Sequence, residues 1–258
     1  MNDERLDHVE LSLDPEQCPE TIEYFEAIKN LDHISSYELA SGILNCDRTK
    51  PMPRQLFAFV VGLYEEAISQ GDSDAMNDLG SLYYDGRGCE QNFTKAMRYY
   101  EMASANGHEL AQENLGYCYY YGRNIPVDYE KAFKCFAAGA FCGRVCSLYK
   151  IGDMYRNGYY VGKNPSAAFR IYLRCSELMD HHNEWEVAGP VFLRLGTASL
   201  NGEGTEKDPA EALRCFQIAE RYLYAMVMDG EAMYRKSLQA AIDGQDSARK
   251  VLMENLPQ

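Results

Sequence analysis

The sequence predicts an all-α fold, a right-handed α–α superhelix built as a solenoid of helix–turn–helix repeats. Three observations carry this. Leu79-Gly80, Leu115-Gly116 and Ile151-Gly152 follow one another at intervals of 36 residues, and Leu195-Gly196 follows after 44. A second glycine stands six positions past each of these glycines, at Gly86, Gly122, Gly158 and Gly202. Ten residues beyond it comes Ala96, Ala132, Ala168 or Ala212, with Asn92, Asp128, Asn164 or Asp208 four before and Tyr100, Phe136, Tyr172 or Phe216 four after. A register held by five classes of position through four units is not a chance pattern.

The elements follow in order from these positions. A degraded first helix is expected near Ser35–Asn45, and Gln55–Gln70 matches a second helix, with Tyr64 and Ala67 aligned to Tyr100 and Ala103. In the first full unit, helix A is placed near Ser73–Asp85 and helix B near Phe93–Asn106. The Asn or Asp before each helix B is an N-cap whose side chain accepts a first-turn N–H. Pro165 and Pro209 then fill the first helical position, where no N–H is missed. Asp208 with Glu211 reads as a capping box. Gly86 and its equivalents suit left-handed C-caps, and Gly71, Gly107 and Gly143, again 36 apart, close the B helices. Gly80 and its equivalents lie inside helix A, where Gly costs about 1 kcal/mol against Ala. They are expected to let a neighbouring helix approach closely, with the alanines of helix B serving the same crossing. Two further helices without the signature are expected after Asp229, giving about 10–13 helices by the repeat logic.

The domain division expected is an acidic N-terminal arm or cap over 1–34, the repeat solenoid over 35–228, and C-terminal capping helices over 229–258. The first twenty residues hold seven acids and one base, and Val9, Leu11 and Leu13 alternate as a short edge strand would. For a chain of 258 residues the expected folded surface is roughly 11,500 Å² against about 42,500 Å² unfolded, so no disulfide or metal is needed to hold it.

The pattern resembles the Sel-one-like repeat, a relative of the tetratricopeptide repeat. The residues that carry the resemblance are Ala75-Met76-Asn77-Asp78-Leu79-Gly80, the Tyr-x-x-Gly endings at Tyr83, Tyr119 and Tyr155, and the Asn/Asp-x-x-x-Ala starts of helix B. It spans roughly residues 36–228 and departs at Ser199, where the Tyr is missing, and at the 44-residue third interval. The resemblance implies an α-solenoid that binds protein or peptide partners and scaffolds complexes, without chemistry of its own. It also implies that the first helices line the concave face.

Carried onto this chain, the outward positions of helix A are Asn77, Ser81 and Tyr84; Glu113, Tyr117, Tyr120 and Tyr121; Tyr149, Asp153 and Arg156; and Leu193, Thr197 and Leu200. Spacings of three and four put each set on one helical face. Many of the 20 tyrosines cluster here, and exposed Tyr is a favoured interface residue. Tyr83, Tyr119 and Tyr155 are expected in the core. The insert Asp180–Ala188 holds the only tryptophan, Trp185, with His181 and His182; Trp185 is a partner-contact candidate, against the plainer reading of a helix extension anchored by its ring.

The chain carries 25 basic and 39 acidic residues, a formal charge of −14, which disfavours nucleic acid and is compatible with a basic protein or peptide. No apolar run of membrane-spanning length and no apolar leader is present, so a cytoplasmic protein with its nine cysteines reduced is expected. Cys142 and Cys146, four apart, could share a helix face, but nothing completes a zinc set, and Cys135 and Cys215 hold equivalent repeat positions, as packing residues would. No phosphate loop, serine elbow or zinc-protease motif occurs, so no cofactor or metal is expected and no catalytic residue is nominated. The expected function is a non-enzymatic interaction module or adaptor. The alternatives are a hydrolase-like activity on the repeat scaffold, or a structural subunit that self-associates through its ends.

Overall fold

The computed structural model describes residues 18–28, 34–46, 52–182 and 185–255. The expected strand at Val9, Leu11 and Leu13 and the side chains of His181 and His182 lie outside the described residues. Twelve α-helices and no strand occur among the described residues, and the fold class is the expected all-α repeat superhelix. The chain divides into two compact units, residues 1–127 and 128–258.

The first unit holds α1 (Pro19–Ile28), α2 (Ser36–Asn45), α3 (Arg54–Ser69), α4 (Ser73–Asp85), α5 (Phe93–Ala105) and α6 (Glu109–Tyr121). The second holds α7 (Tyr129–Phe141), α8 (Val145–Asn157), α9 (Pro165–His182), α10 (Ala188–Asn201), α11 (Pro209–Met228) and α12 (Arg235–Glu254). Helices A of the four full repeats are α4, α6, α8 and α10.

The caps form as the residue types require. Asn92, Asp128 and Asn164 each accept from the backbone N–H three residues on, at 2.9 Å. Asp208 accepts from the N–H groups of Ala210 and Glu211 at 3.0 and 2.9 Å. The capping box expected at Asp208 is only half made. The Asp208 N–H donates to the Ser199 carbonyl at 2.8 Å, and the Glu211 carboxylate turns instead to Arg214 at 2.6 and 2.7 Å. A complete box stands at the first helix A, where Ser35 Oγ accepts from the Glu38 N–H and Glu38 Oε2 accepts from the Ser35 N–H.

A second staple recurs in three of the four A–B turns. The carbonyls of Tyr83, Tyr155 and Ser199 each accept the N–H of the N-cap residue at 2.8 Å. This bond is made by the main chain, so the repeat keeps its turn at Ser199 without the tyrosine.

The glycines inside helix A meet helix B as expected. A Cβ at Gly80 would stand 2.7 Å from the Tyr100 ring, one at Gly152 2.6 Å from Tyr172, and one at Gly196 2.8 Å from Phe216. Phe216, 2% exposed, is clasped from the other side by Gly244 of α12, where a Cβ would also come within 2.7 Å. The C-terminal segment differs from expectation. The chain after Asp229 forms one short 3₁₀ turn, Ala232–Tyr234, running into a single 20-residue helix rather than two helices. No proline breaks it, and its glycine sits over a ring.

The long third interval is taken up by helix. Helix α9 runs 18 residues against 13 for α5 and α7, and a 3₁₀ turn at Trp185–Val187 follows. Met179 and Val187 from this stretch are buried in the core around Tyr172 and Val191. Cys142 and Cys146 do not share a helix face. Cys142 is the exposed C-cap of α7, and Cys146 is buried in α8, because the turn at Gly143 falls between them. No helix among the described residues is long and apolar enough to cross a membrane.

Candidate functional site

In the first unit, α4 and α6 bring the expected helix A residues into one network. Asn77 Oδ1 accepts from Asn114 Nδ2 at 3.0 Å. Ser81 Oγ donates to the Asn77 carbonyl and accepts from Tyr100 Oη, both at 3.2 Å. Asn77 is only 2% exposed and Glu113, its equivalent in α6, only 3%. The expectation that both face outward is therefore corrected. The physical reason is geometric: in a layered repeat, helix A buries one flank against its own helix B and another against the next helix A, as Asn114 against Asn77 shows.

The end of the stripe is aromatic. Tyr84 is half-buried, its ring edge-on to Phe93 at 5.1 Å, and its Oη accepts from Arg123 Nε at 3.2 Å. Burial raises its ionisation above the usual tyrosine value, partly offset by Arg123. The Arg123 guanidinium lies over three rings, 5.2 Å from Phe93, 5.3 Å from Tyr121 and 5.8 Å from Tyr84. Tyr121 is 47% exposed, with Tyr117 stacked on it at 6.3 Å and Tyr120 edge-on at 5.0 Å. Tyr117 and Tyr120 are half-buried. The result is a preordered aromatic surface around one cation, presented by the C-terminal turn of α6.

Arg123 was not among the sequence candidates. A signal was available: Gly86-Arg87 and Gly122-Arg123 repeat at 36 residues. Both arginines reach back to an earlier helix A, Arg87 Nη2 donating to the Leu44 carbonyl at 2.7 Å and Arg123 to Tyr84.

In the second unit the expected residues separate into two kinds. Tyr149 and Asp153, 6% and 4% exposed, are core residues, which again corrects the outward assignment. Tyr149 packs on Tyr172 at 6.0 Å. Asp153 Oδ1 accepts from Tyr172 Oη at 2.7 Å and from Arg194 Nε at 3.0 Å. Burial alone would raise the Asp153 carboxyl, but Arg194 and Tyr172 outweigh it and hold it below the usual carboxylate value. Leu193 is buried too, whereas Thr197 and Leu200 are half-buried. Arg156 is half-buried, 3.8 Å from Glu203. Trp185, 38% exposed, stacks on Tyr222 at 5.6 Å with planes 10° apart.

Of the tyrosines expected in the core, Tyr83 is buried, stacked on Tyr99 at 5.9 Å and edge-on to Phe57. Tyr155 and Tyr119 are half-buried, Tyr155 edge-on to Phe133. No cluster of His, Cys, Asp and Glu suited to a metal occurs among the described residues.

The family model for the Sel1 repeat matches residues 73–108, 110–140, 147–178 and 193–221. The chain is similar in fold to the Sel1 repeat protein from Oxalobacter formigenes, at 21% identity and a TM-score of 0.56, over 78% of this chain and 81% of that one. It is also similar to c5321, a protective antigen present in uropathogenic Escherichia coli strains that displays an SLR fold. Identity there is 19% and the TM-score 0.60, over 97% of this chain and 56% of that one. No curated protein matches the chain.

Proposed function

The chain belongs to the Sel1 repeat family, and on that premise we propose that it is a non-enzymatic interaction module which holds a protein or peptide partner on the helix A face of its first unit. Repeats of this family generally mediate protein–protein interaction. The observation that carries the proposal is the aromatic surface of Tyr117, Tyr120 and Tyr121 ordered around Arg123. Rings already fixed by stacking lose little freedom on binding, and Tyr and Arg are the residues that dominate interface energetics. The buried helix A residues Asn77, Glu113, Tyr149 and Asp153 are excluded from the binding surface in this reading and serve to hold the repeats. Trp185 and Arg156 belong to the second unit and are secondary candidates.

The test is capture of partners by the wild-type chain and by Tyr117→Ala/Tyr120→Ala/Tyr121→Ala, with circular dichroism as the folding control. Loss of the captured set at unchanged helicity supports the surface, and unchanged capture removes it. The acidic balance of 39 to 25 favours a partner with basic segments.

A second reading, self-association, is favoured by exposed apolar side chains on the last two helices and the turn between them. Tyr224, Met228, Met233 and Met253 are 57%, 66%, 75% and 74% exposed. Light scattering across a concentration series separates it from a monomeric adaptor.

A further inference from the structure

The two units differ in charge. Residues 1–127 carry nine basic and 22 acidic side chains, whereas residues 128–258 carry 16 and 17. Nearly all of the net charge thus belongs to the first unit. Within it Arg123 is a half-buried cation, and no carboxylate pairs with it among the described residues. Arg54, Lys95 and Arg98 of the same unit are exposed, so water serves them. Arg123 is instead held against the rings of Phe93, Tyr121 and Tyr84. A charge taken partly out of water without a counter-charge is costly, and an anion that reaches it relieves that cost.

The guanidinium is also oriented. Its Nε donates to Tyr84 Oη at 3.2 Å, and this is the one side-chain hydrogen bond that Arg123 makes among the described residues. A guanidinium has five N–H donors, so four remain, two on each Nη. Ring contact stabilises the charge but supplies no acceptor oxygen. With Nε taken, the open edge is the pair of Nη groups, a fork whose spacing matches the two oxygens of one carboxylate. The repeat equivalent, Arg87, differs, since its Nη2 is already engaged with the Leu44 carbonyl.

Charge selects the ligand that brings this carboxylate. The acidic excess of the first unit repels an acidic segment or a phosphate dianion and draws in a basic segment. A basic segment still carries a carboxylate at its chain end. A glutamate inside such a segment has the lysines and arginines around it as competing partners. We propose that Arg123 is the receptor for the C-terminal carboxylate of a partner whose last residues are basic and end in an apolar one. That final side chain lies on the Tyr121 ring, which is 47% exposed. The inference deepens the interaction reading and rests on it for the partner, and the subsite is testable with a synthetic peptide.

The experiment is a two-dimensional NMR titration of the full chain with acetyl-Gly-Lys-Arg-Leu bearing a free C-terminal carboxylate, at constant pH and ionic strength. The same peptide as its C-terminal amide is one comparison. Amidated acetyl-Gly-Lys-Arg-Glu, which has the net charge of the acid, is the other. The signal followed is the Arg123 Nε–H cross-peak, identified by its absence in Arg123→Lys. General attraction to an acidic chain favours the amide, the more positive peptide, so a preference for the acid has the opposite sign and reports the subsite. The acid is expected to shift the cross-peak and to bind about tenfold tighter than either comparison, the scale of hydrogen bonds to charged groups. Arg123→Lys keeps the charge and loses the fork, so it should bring acid and amide to within about threefold of each other. Circular dichroism is its folding control, and the acid–amide comparison in the wild type stands without it. Acid binding no tighter than the amide, no binding of the acid at millimolar peptide, the glutamate peptide matching the acid, or the full preference surviving in Arg123→Lys each overturns the inference. The two readings fail separately. Partner capture lost in the Tyr117/Tyr120/Tyr121 triple variant, with acid and amide bound alike by the wild type, removes the subsite alone. Acid-selective binding with capture unchanged in the triple variant removes the aromatic surface alone.

Discussion

The carboxylate of Asp153 and the guanidinium of Arg194 meet at 3.0 Å, joining the helices A of two consecutive repeats. The two residues are 41 apart in the chain, and the Tyr172 hydroxyl of the intervening helix B donates to the same oxygen at 2.7 Å. In the first unit Asn114, at the repeat position of Arg194, donates to Asn77 Oδ1 at 3.0 Å, while Ser81, at the position of Asp153, accepts from Tyr100 Oη at 3.2 Å. Helix A thus carries polar residues on a buried flank, and these set the register of one repeat on the next.

Removing one member of the buried pair leaves the other charge stranded. Asp153→Ala should destabilise the second unit by about 3 kcal/mol, read from urea denaturation. Joint replacement by Asp153→Leu, Arg194→Met and Tyr172→Phe should recover most of that loss, since all three polar partners leave together. A triple variant as unstable as Asp153→Ala would mean the loss comes from packing alone.

The pair also fixes a pH window. The Asp153 carboxyl is held below its ordinary value of 3.8 in the folded chain, so its contribution is complete above that value. It is lost as pH falls through the lower folded value. The stability advantage of the wild type over Asp153→Asn should be flat from neutral pH down to about 5 and shrink below about 4. An advantage that grows on acidification would contradict the assigned direction.

The glycines of helix A divide by what a methyl group would meet. Gly196→Ala places a Cβ 2.8 Å from the buried Phe216 ring and should cost about 1–3 kcal/mol despite the better helix propensity of Ala. Gly62→Ala in α3 has nothing within 4 Å and should gain up to about 1 kcal/mol. Thermal melts of the two variants should therefore move in opposite directions.

The thiols should react in order of exposure. Cys142 is exposed, whereas Cys135 and Cys215 are pushed up to about 11 and about 12, burial being the main cause. At pH 7.5 (about a unit below a free thiol's pKa), iodoacetamide should label Cys142 first, mapped by peptide mass spectrometry. Early labelling of Cys215 would show that α11 opens readily.

The helices, caps and turns were legible in the sequence because each rests on a local rule. Asn92 and Asp208 cap because their side chains reach the first-turn N–H groups, and Gly86 and Gly202 end helices because they take positive φ, 71° and 75°. The face of helix A was legible only in part. Exclusion of Ala, Leu, Gly and the first Tyr left Asn77, Glu113, Tyr149 and Asp153 as outward candidates, yet all four are buried. Polarity misled there, since a polar residue paired with the neighbouring repeat is a core residue. Arg123 was missed because its role depends on reaching a ring 39 residues back, although its recurrence with Arg87 was visible. Tyr64 read as a core aromatic and is one.

The most direct test of the account is quantitative affinity capture from native lysate. It compares the wild type, Tyr117→Ala/Tyr120→Ala/Tyr121→Ala, and Tyr224→Ala as an exposed tyrosine of the second unit. The account predicts one set of proteins held by the wild type and Tyr224→Ala and lost from the triple variant, with helicity unchanged in all three. The same proteins held equally by the triple variant would contradict it.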